Sequence, residues 1–136
     1  NFSFKFLLSL KKFVTEALLG CDIQNISTLS DDFTAANSCA DIHLSKNEDF
    51  LYGSNRGENT IAVFKRNTVD GTLTKIQNID VEGEWPRNFT LDPTGKFLLV
   101  ANQKSNTISV FKIHPDSGTL SYLNSVKTPS PVCLLF

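Results

Sequence analysis

A long segment of this chain repeats itself without a gap. Leu44–Leu73 aligns with Leu91–Leu120 at a constant offset of 47 residues. Phe50-Leu51 falls on Phe97-Leu98, Asn55 on Asn102, and Asn59-Thr60-Ile61 on Asn106-Thr107-Ile108. Val63-Phe64-Lys65 falls on Val110-Phe111-Lys112, and Gly71-Thr72-Leu73 on Gly118-Thr119-Leu120. A partial copy precedes them, since Ile23-Gln24-Asn25-Ile26 is identical to Ile76-Gln77-Asn78-Ile79. Such self-similarity marks a repeat architecture, in which each unit buries its apolar face against its neighbours. The chain then divides into residues 1–40, which hold the end of a preceding unit, and two units at 41–87 and 88–136.

Each unit reads as four strands of β-branched and aromatic residues with period-two character, bounded by turn chemistry. The predicted strands of the first unit are Asp41–Ser45, Phe50–Ser54, Thr60–Lys65 and Leu73–Ile79. Those of the second are Asn88–Leu91, Phe97–Ala101, Thr107–Ile113 and Leu120–Val126. Asp92-Pro93-Thr94-Gly95, Asp70-Gly71 and Asp116-Ser117-Gly118 supply turns between them. Four strands in a repeat of roughly 40 to 50 residues is the blade of a β-propeller. A sandwich of two sheets is the alternative, and a gap-free repeat favours radial stacking over it. The expected fold class is therefore all-β, a partial set of propeller blades. Propellers close with about four to eight blades, so missing blades or other copies of the chain are needed to complete the ring.

Composition excludes several classes of function. Of 136 residues, 40% are hydrophobic and 20% charged, as in an ordinary globular domain. The net charge of −1 is spread along the chain, so no basic face for nucleic acid is expected. No apolar run is long enough for a membrane span. Cys21, Cys39 and Cys133 are odd in number and widely spaced, which argues against a zinc site or a disulfide framework. Three reduced, partly buried thiols in a cytoplasmic protein are expected. The Asn1–Phe6 alternation fits a strand, and Leu7–Leu19 fits helix or strand equally. Leu18-Leu19-Gly20-Cys21 is like a lipoprotein cleavage box, but Lys11, Lys12 and Glu16 interrupt the apolar core that such a signal needs. The sequence lacks methionine, so Asn1 is not read as a native start.

A family likeness is carried by particular residues. They are Ser38-Cys39-Ala40-Asp41-Ile42-His43-Leu44-Ser45, Phe50-Leu51-Tyr52-Gly53-Ser54-Asn55-Arg56-Gly57, Trp85-Pro86-Arg87-Asn88-Phe89 and Leu98-Leu99-Val100-Ala101-Asn102-Gln103. In this order they resemble the last blades of the propeller-type 6-phosphogluconolactonases, over residues 22–136, and are similar to the fungal carboxy-muconate lactonizing enzymes. The resemblance implies a seven-bladed propeller that hydrolyses a small anionic sugar lactone, or a cyclase-type isomerase that forms one, with neither metal nor cofactor. It also implies a site of arginines, a histidine and a glutamate at the channel mouth. Arg87 of Pro86-Arg87 matches one of those arginines, whereas the histidine and glutamate belong to earlier blades. A non-catalytic propeller fragment that kept the fold as a binding scaffold is the other reading.

The repeat gives a second route to candidate residues. Equivalent positions point toward the same end of the channel, and a side chain that breaks the repeat is one the scaffold does not require. Arg56 against Gln103, and His43 against Thr90, are such breaks. Arg87 is a candidate catalytic donor to a carboxylate, a phosphate or a developing oxyanion through its planar fork, or else a blade-to-blade salt bridge. His43 is a candidate base with Asp41 on its own face, or else a histidine satisfied between blades. Arg56, Asp41 and Gln103 are candidate substrate-binding residues, with a solvated turn as the alternative for Arg56 and a tie to the next blade for Asp41. His114, in the His114-Pro115-Asp116 turn, is expected to be solvent-exposed.

Overall fold

The computed structural model describes residues 24–136. The readings of residues 1–6 and 7–19, of the Leu18–Cys21 box and of Ile23 lie outside the described residues. Eight strands follow in chain order: β1 (Ser38–Leu44), β2 (Phe50–Arg56), β3 (Thr60–Arg66), β4 (Leu73–Asp80), β5 (Pro86–Leu91), β6 (Phe97–Asn102), β7 (Thr107–Ile113) and β8 (Leu120–Lys127). They form two four-stranded antiparallel meanders, β1-β2-β3-β4 and β5-β6-β7-β8. The all-β expectation holds. Among the described residues, no helix is long and apolar enough to cross a membrane.

At one end the strands run further than the alternation predicted. β1 begins at Ser38 rather than Asp41, β5 at Pro86 rather than Asn88, and β2 extends to Arg56. A bulge causes this: pairing passes from Cys39↔Asn55 to Ile42↔Gly53, and from Pro86↔Asn102 to Asn88↔Ala101. An extra residue in the ladder flips the side-chain alternation, so the period-two signal stops where the strand continues. Equivalent bulges between β3 and β4 and between β7 and β8 leave Ile76 and Leu123 unpaired and exposed.

Alternate residues of the first sheet enter two cores. Phe50, Tyr52, Ile61 and Val63 pack against Phe89, Leu98, Val100, Phe111, Ile113 and Leu120 of the second sheet. Leu51, Ala62, Phe64 and Leu73 face the other way, onto Ile26, Ile42 and Leu44. Phe64 and Phe111 are repeat equivalents, so each sheet presents the same face upstream.

Polar side chains stitch successive units at equivalent points. Gln77 Nε2 donates to Leu120 O at 3.0 Å, and Leu120 N donates to Gln77 Oε1 at 2.7 Å. Gln24 makes the same pair with Leu73, at 2.9 and 2.7 Å. Asn55 Nδ2 donates to Thr28 O at 3.0 Å, and its equivalent Asn102 Nδ2 to Val81 O at 3.4 Å. Asn59 O accepts from Val81 N and its side chain from Trp85 N, while Asn106 does the same for Thr128 and Ser130. Segment 128–136 therefore leaves β8 on the course that leads from β4 into β5.

The two sheets differ in what covers their downstream faces. Phe50 is 5% exposed, whereas its equivalent Phe97 is 38% exposed. Tyr52, Ile61 and Val63 are buried, whereas Leu99, Ile108 and Val110 are half-buried and Val126 is exposed. Cys133, expected to be partly buried, is exposed, because nothing in the described chain covers this side; Cys39 is half-buried, and both are free thiols. His114 is not the open turn residue expected: it is half-buried, with Nε2 2.7 Å from Ser121 Oγ.

Candidate functional site

The extra residue of the β5 bulge is Arg87. A bulge releases its residue from the ladder and re-aims its side chain, and Arg87 is exposed, with Nη1 donating to Gln103 Oε1 at 3.1 Å. Gln103 follows the last residue of β6, so the start of β5 and the end of β6 bring this pair together. Arg56 closes β2 at the same end of the first sheet. Its Nη2 donates to Cys39 O at 3.4 Å, and its guanidinium carbon lies 5.6 Å from the centroid of the Trp85 ring.

Trp85 is held by both sheets. Its N–H donates to Asn59 Oδ1 at 3.0 Å, and its carbonyl accepts from Gln103 N at 3.1 Å. With φ at 66° it occupies a left-handed conformation that is uncommon for a bulky residue and persists only where its surroundings enforce it. Lys104 Nζ stands 3.6 Å from the same ring centroid, within the range of a cation–π contact. Trp85 and Lys104 were missed by sequence reasoning, although both break the repeat: Ser38 and Gly57 stand at the equivalent positions.

The cations of this end stand outside the ion pairs of the fold. Ion pairs among the described residues join His43 to Asp41, Arg66 to Glu48 and Lys75 to Asp31. None involves Arg56, Arg87 or Lys104, so these three cations have no ion-pair partner among the described residues. Between the two blades described here Arg87 makes no salt bridge, and Arg56 lies at a strand end over an indole. Arg56 Nε is buried with no hydrogen-bond partner among the described residues.

Asp41 and His43 form a separate cluster. His43 Nε2 lies 3.2 Å from Asp41 Oδ2, and the His43 ring meets Phe89 edge-on, with centroids 4.8 Å apart. Asp41 Oδ2 also accepts from Asn88 Nδ2 at 2.6 Å and Phe89 N at 3.2 Å, while Oδ1 accepts from Ile42 N at 2.8 Å. Asp41 therefore orients His43 and ties β1 to β5. Burial raises its pKa, but the bonds from His43, Ile42 and Phe89 together outweigh burial and hold the carboxyl below its ordinary value. No bond or ion pair among the described residues links His43 to Arg56, Arg87 or Gln103. His43 lies three residues beyond Ala40, the equivalent of Arg87, which is about 10 Å along the strand. Glu48, in the β1–β2 turn at the opposite end, is paired to Arg66. No three His, Cys, Asp or Glu groups among the described residues gather to hold a metal ion.

Comparison with known proteins decides the family. The profile described as "Lactonase, 7-bladed beta-propeller" matches residues 18–136. This chain belongs to the seven-bladed β-propeller lactonase family. Its two four-stranded sheets are blades of that propeller, and the chain holds part of the set. A 6-phosphogluconolactonase from Bacillus subtilis (strain 168) is 38% identical over 116 residues, which are 85% of this chain and 33% of that protein. Among solved structures, a protein from Lactobacillus plantarum superposes with a TM-score of 0.77 at 46% identity, over 80% of this chain and 32% of that one. The Pseudomonas aeruginosa periplasmic gluconolactonase PpgL superposes with a TM-score of 0.75 at 34% identity, over 79% of this chain and 30% of that one. The chain thus spans about a third of the length of these propeller lactonases.

Proposed function

We propose that this chain supplies one side of the active site of a lactonase that hydrolyses a small anionic sugar lactone. The observation that carries the proposal is Arg87, freed by a bulge, without an ion-pair partner among the described residues and aimed by Gln103. A lactone needs such a group twice. Water adds to the carbonyl carbon and turns its oxygen into an oxyanion, to which a guanidinium donates strong charge-assisted bonds. Collapse breaks the ring C–O bond, the ring oxygen takes a proton, and the product is a hydroxyl and a carboxylate that meets the same cation.

Arg87 is assigned to the oxyanion and Gln103 to fixing its fork. Asp41 and His43 are assigned to positioning, because Asp41 is occupied by Asn88 and Phe89 of the next blade and His43 completes its shell. The water-activating base then comes from blades outside this chain, which also supply the cover for the Phe97–Val126 face. The free thiols suit a reducing compartment, and we place the protein in the cytoplasm on that ground.

The test is hydrolysis of 6-phosphogluconolactone, followed by acid release, by the complete propeller that carries these blades, with Arg87→Ala beside the unaltered protein. Losing one oxyanion donor lowers kcat by about 10²–10³-fold. Unchanged turnover in Arg87→Ala removes Arg87 from the chemistry. Retained binding of the open acid with no hydrolysis by either protein favours the scaffold reading instead.

A further inference from the structure

We propose that Arg56, Trp85 and Lys104 form a second anion subsite, separate from Arg87, that takes a phosphomonoester group carried by the substrate. The inference rests on the lactonase reading and deepens it, because relatives of this chain include both a 6-phosphogluconolactonase and a gluconolactonase, whose substrates differ in that group.

Two cations share one indole here, at 5.6 and 3.6 Å from its centroid. Holding like charges against a single ring costs Coulomb energy, and neither cation is in an ion pair among the described residues. Arg56 adds a buried Nε–H with no acceptor among the described residues. A dianionic tetrahedral group answers both needs, since it brings several acceptor oxygens and more charge than a carboxylate. The backbone is arranged for the purpose. Trp85 is kept at positive φ by Asn59 of one blade and Gln103 of the next, and Lys104 is set by its own N–H bonding to Glu84 O at 3.1 Å. Neither residue is required by the scaffold, for the other blade carries Ser38 and Gly57 at these positions. Arg87 has its own partner in Gln103, whereas the cations over the indole are Arg56 and Lys104, so the lactone and the phosphoryl group have separate donors.

Trp85 is the only tryptophan in the sequence, so its fluorescence reports on this subsite alone. The full chain is titrated with inorganic phosphate, with chloride and acetate at matched ionic strength. The expected result is a saturable change in emission with phosphate and none with chloride or acetate. Lys104→Ala, which removes an exposed side chain and its contact with the Trp85 ring, weakens the phosphate response about tenfold, and Lys104→Arg restores it. The Lys104→Ala protein also loses about tenfold in its preference for 6-phosphogluconolactone over unphosphorylated gluconolactone. No saturable response, an equal response to acetate, or Lys104→Ala titrating like the unaltered chain overturns the proposal. If the complete propeller hydrolyses neither lactone, the functional reading fails while the phosphate titration still decides this one.

Discussion

Asp41 shows how one side chain serves the architecture and the neighbourhood of the site together. Its carboxylate gathers donors from Ile42, His43, Asn88 and Phe89, two of which belong to the next blade. Glu58 plays a similar part, accepting from Ser30 N at 2.8 Å, Thr60 Oγ1 at 2.8 Å and Asn78 Nδ2 at 2.9 Å. In both, burial raises the pKa and the hydrogen bonds more than compensate, so the folded carboxyls titrate below their ordinary values of 3.8 and 4.5. A depressed folded pKa contributes stability that is present above the ordinary value and lost as pH falls through the folded one. Urea midpoints are thus expected to be flat near neutrality and to drop below the 3.8 to 4.5 window. Asp41→Asn lowers the neutral midpoint and shallows the acid limb; an acid limb identical to that of the unaltered protein contradicts this assignment. A second test concerns Gln77, which satisfies both backbone groups of the buried Leu120. Gln77→Ala leaves them unpaired and is expected to cost about 1–3 kcal/mol in urea unfolding.

At the scale of elements, the tight joint between the sheets is the β7–β8 turn against β2. Tyr52 Oη donates to Gly118 O at 3.0 Å, and the turn closes over Phe50. Gly118 has φ 70°, and a Cβ there would run into the Phe50 ring. Gly95, in the Asp92–Gly95 turn, has φ 73° but open space around the same position, with Lys46 Cβ nearest at 3.8 Å. Gly95→Ala therefore carries the backbone cost alone, about 1 kcal/mol. Gly118→Ala adds a clash with a packed aromatic, for about 1–3 kcal/mol more. Equal melting temperatures for the two variants would show that this turn does not pack as described. The strands themselves were legible because period-two apolar patterning is a local property that the repeat states twice. Their ends at Ser38, Arg56 and Pro86 were not, since bulges invert the alternation there.

Across the whole molecule, the fold was the most legible feature, because a gap-free repeat requires each unit to stack on the next in the same way. The candidate site was legible in part. Arg56, Gln103 and His43 stood out by breaking the repeat and Arg87 by its motif. Trp85 and Lys104 broke the repeat too, yet their meeting depends on a left-handed residue between two blades, which no alternation encodes. The unequal burial of Phe50 and Phe97 carries the ring beyond this chain, since one apolar face is buried by a neighbouring blade and its equivalent is not. The direct measurement is an experimental structure of the protein, read for the rotation that carries Phe50 of β2 onto Phe97 of β6. The account predicts consecutive blades about a common channel, related by one seventh of a turn, with Gln77 bonded to Leu120 and Trp85 under Lys104. Two sheets stacked face to face without that rotation, or Arg56 and Arg87 at opposite ends of the channel, would contradict it.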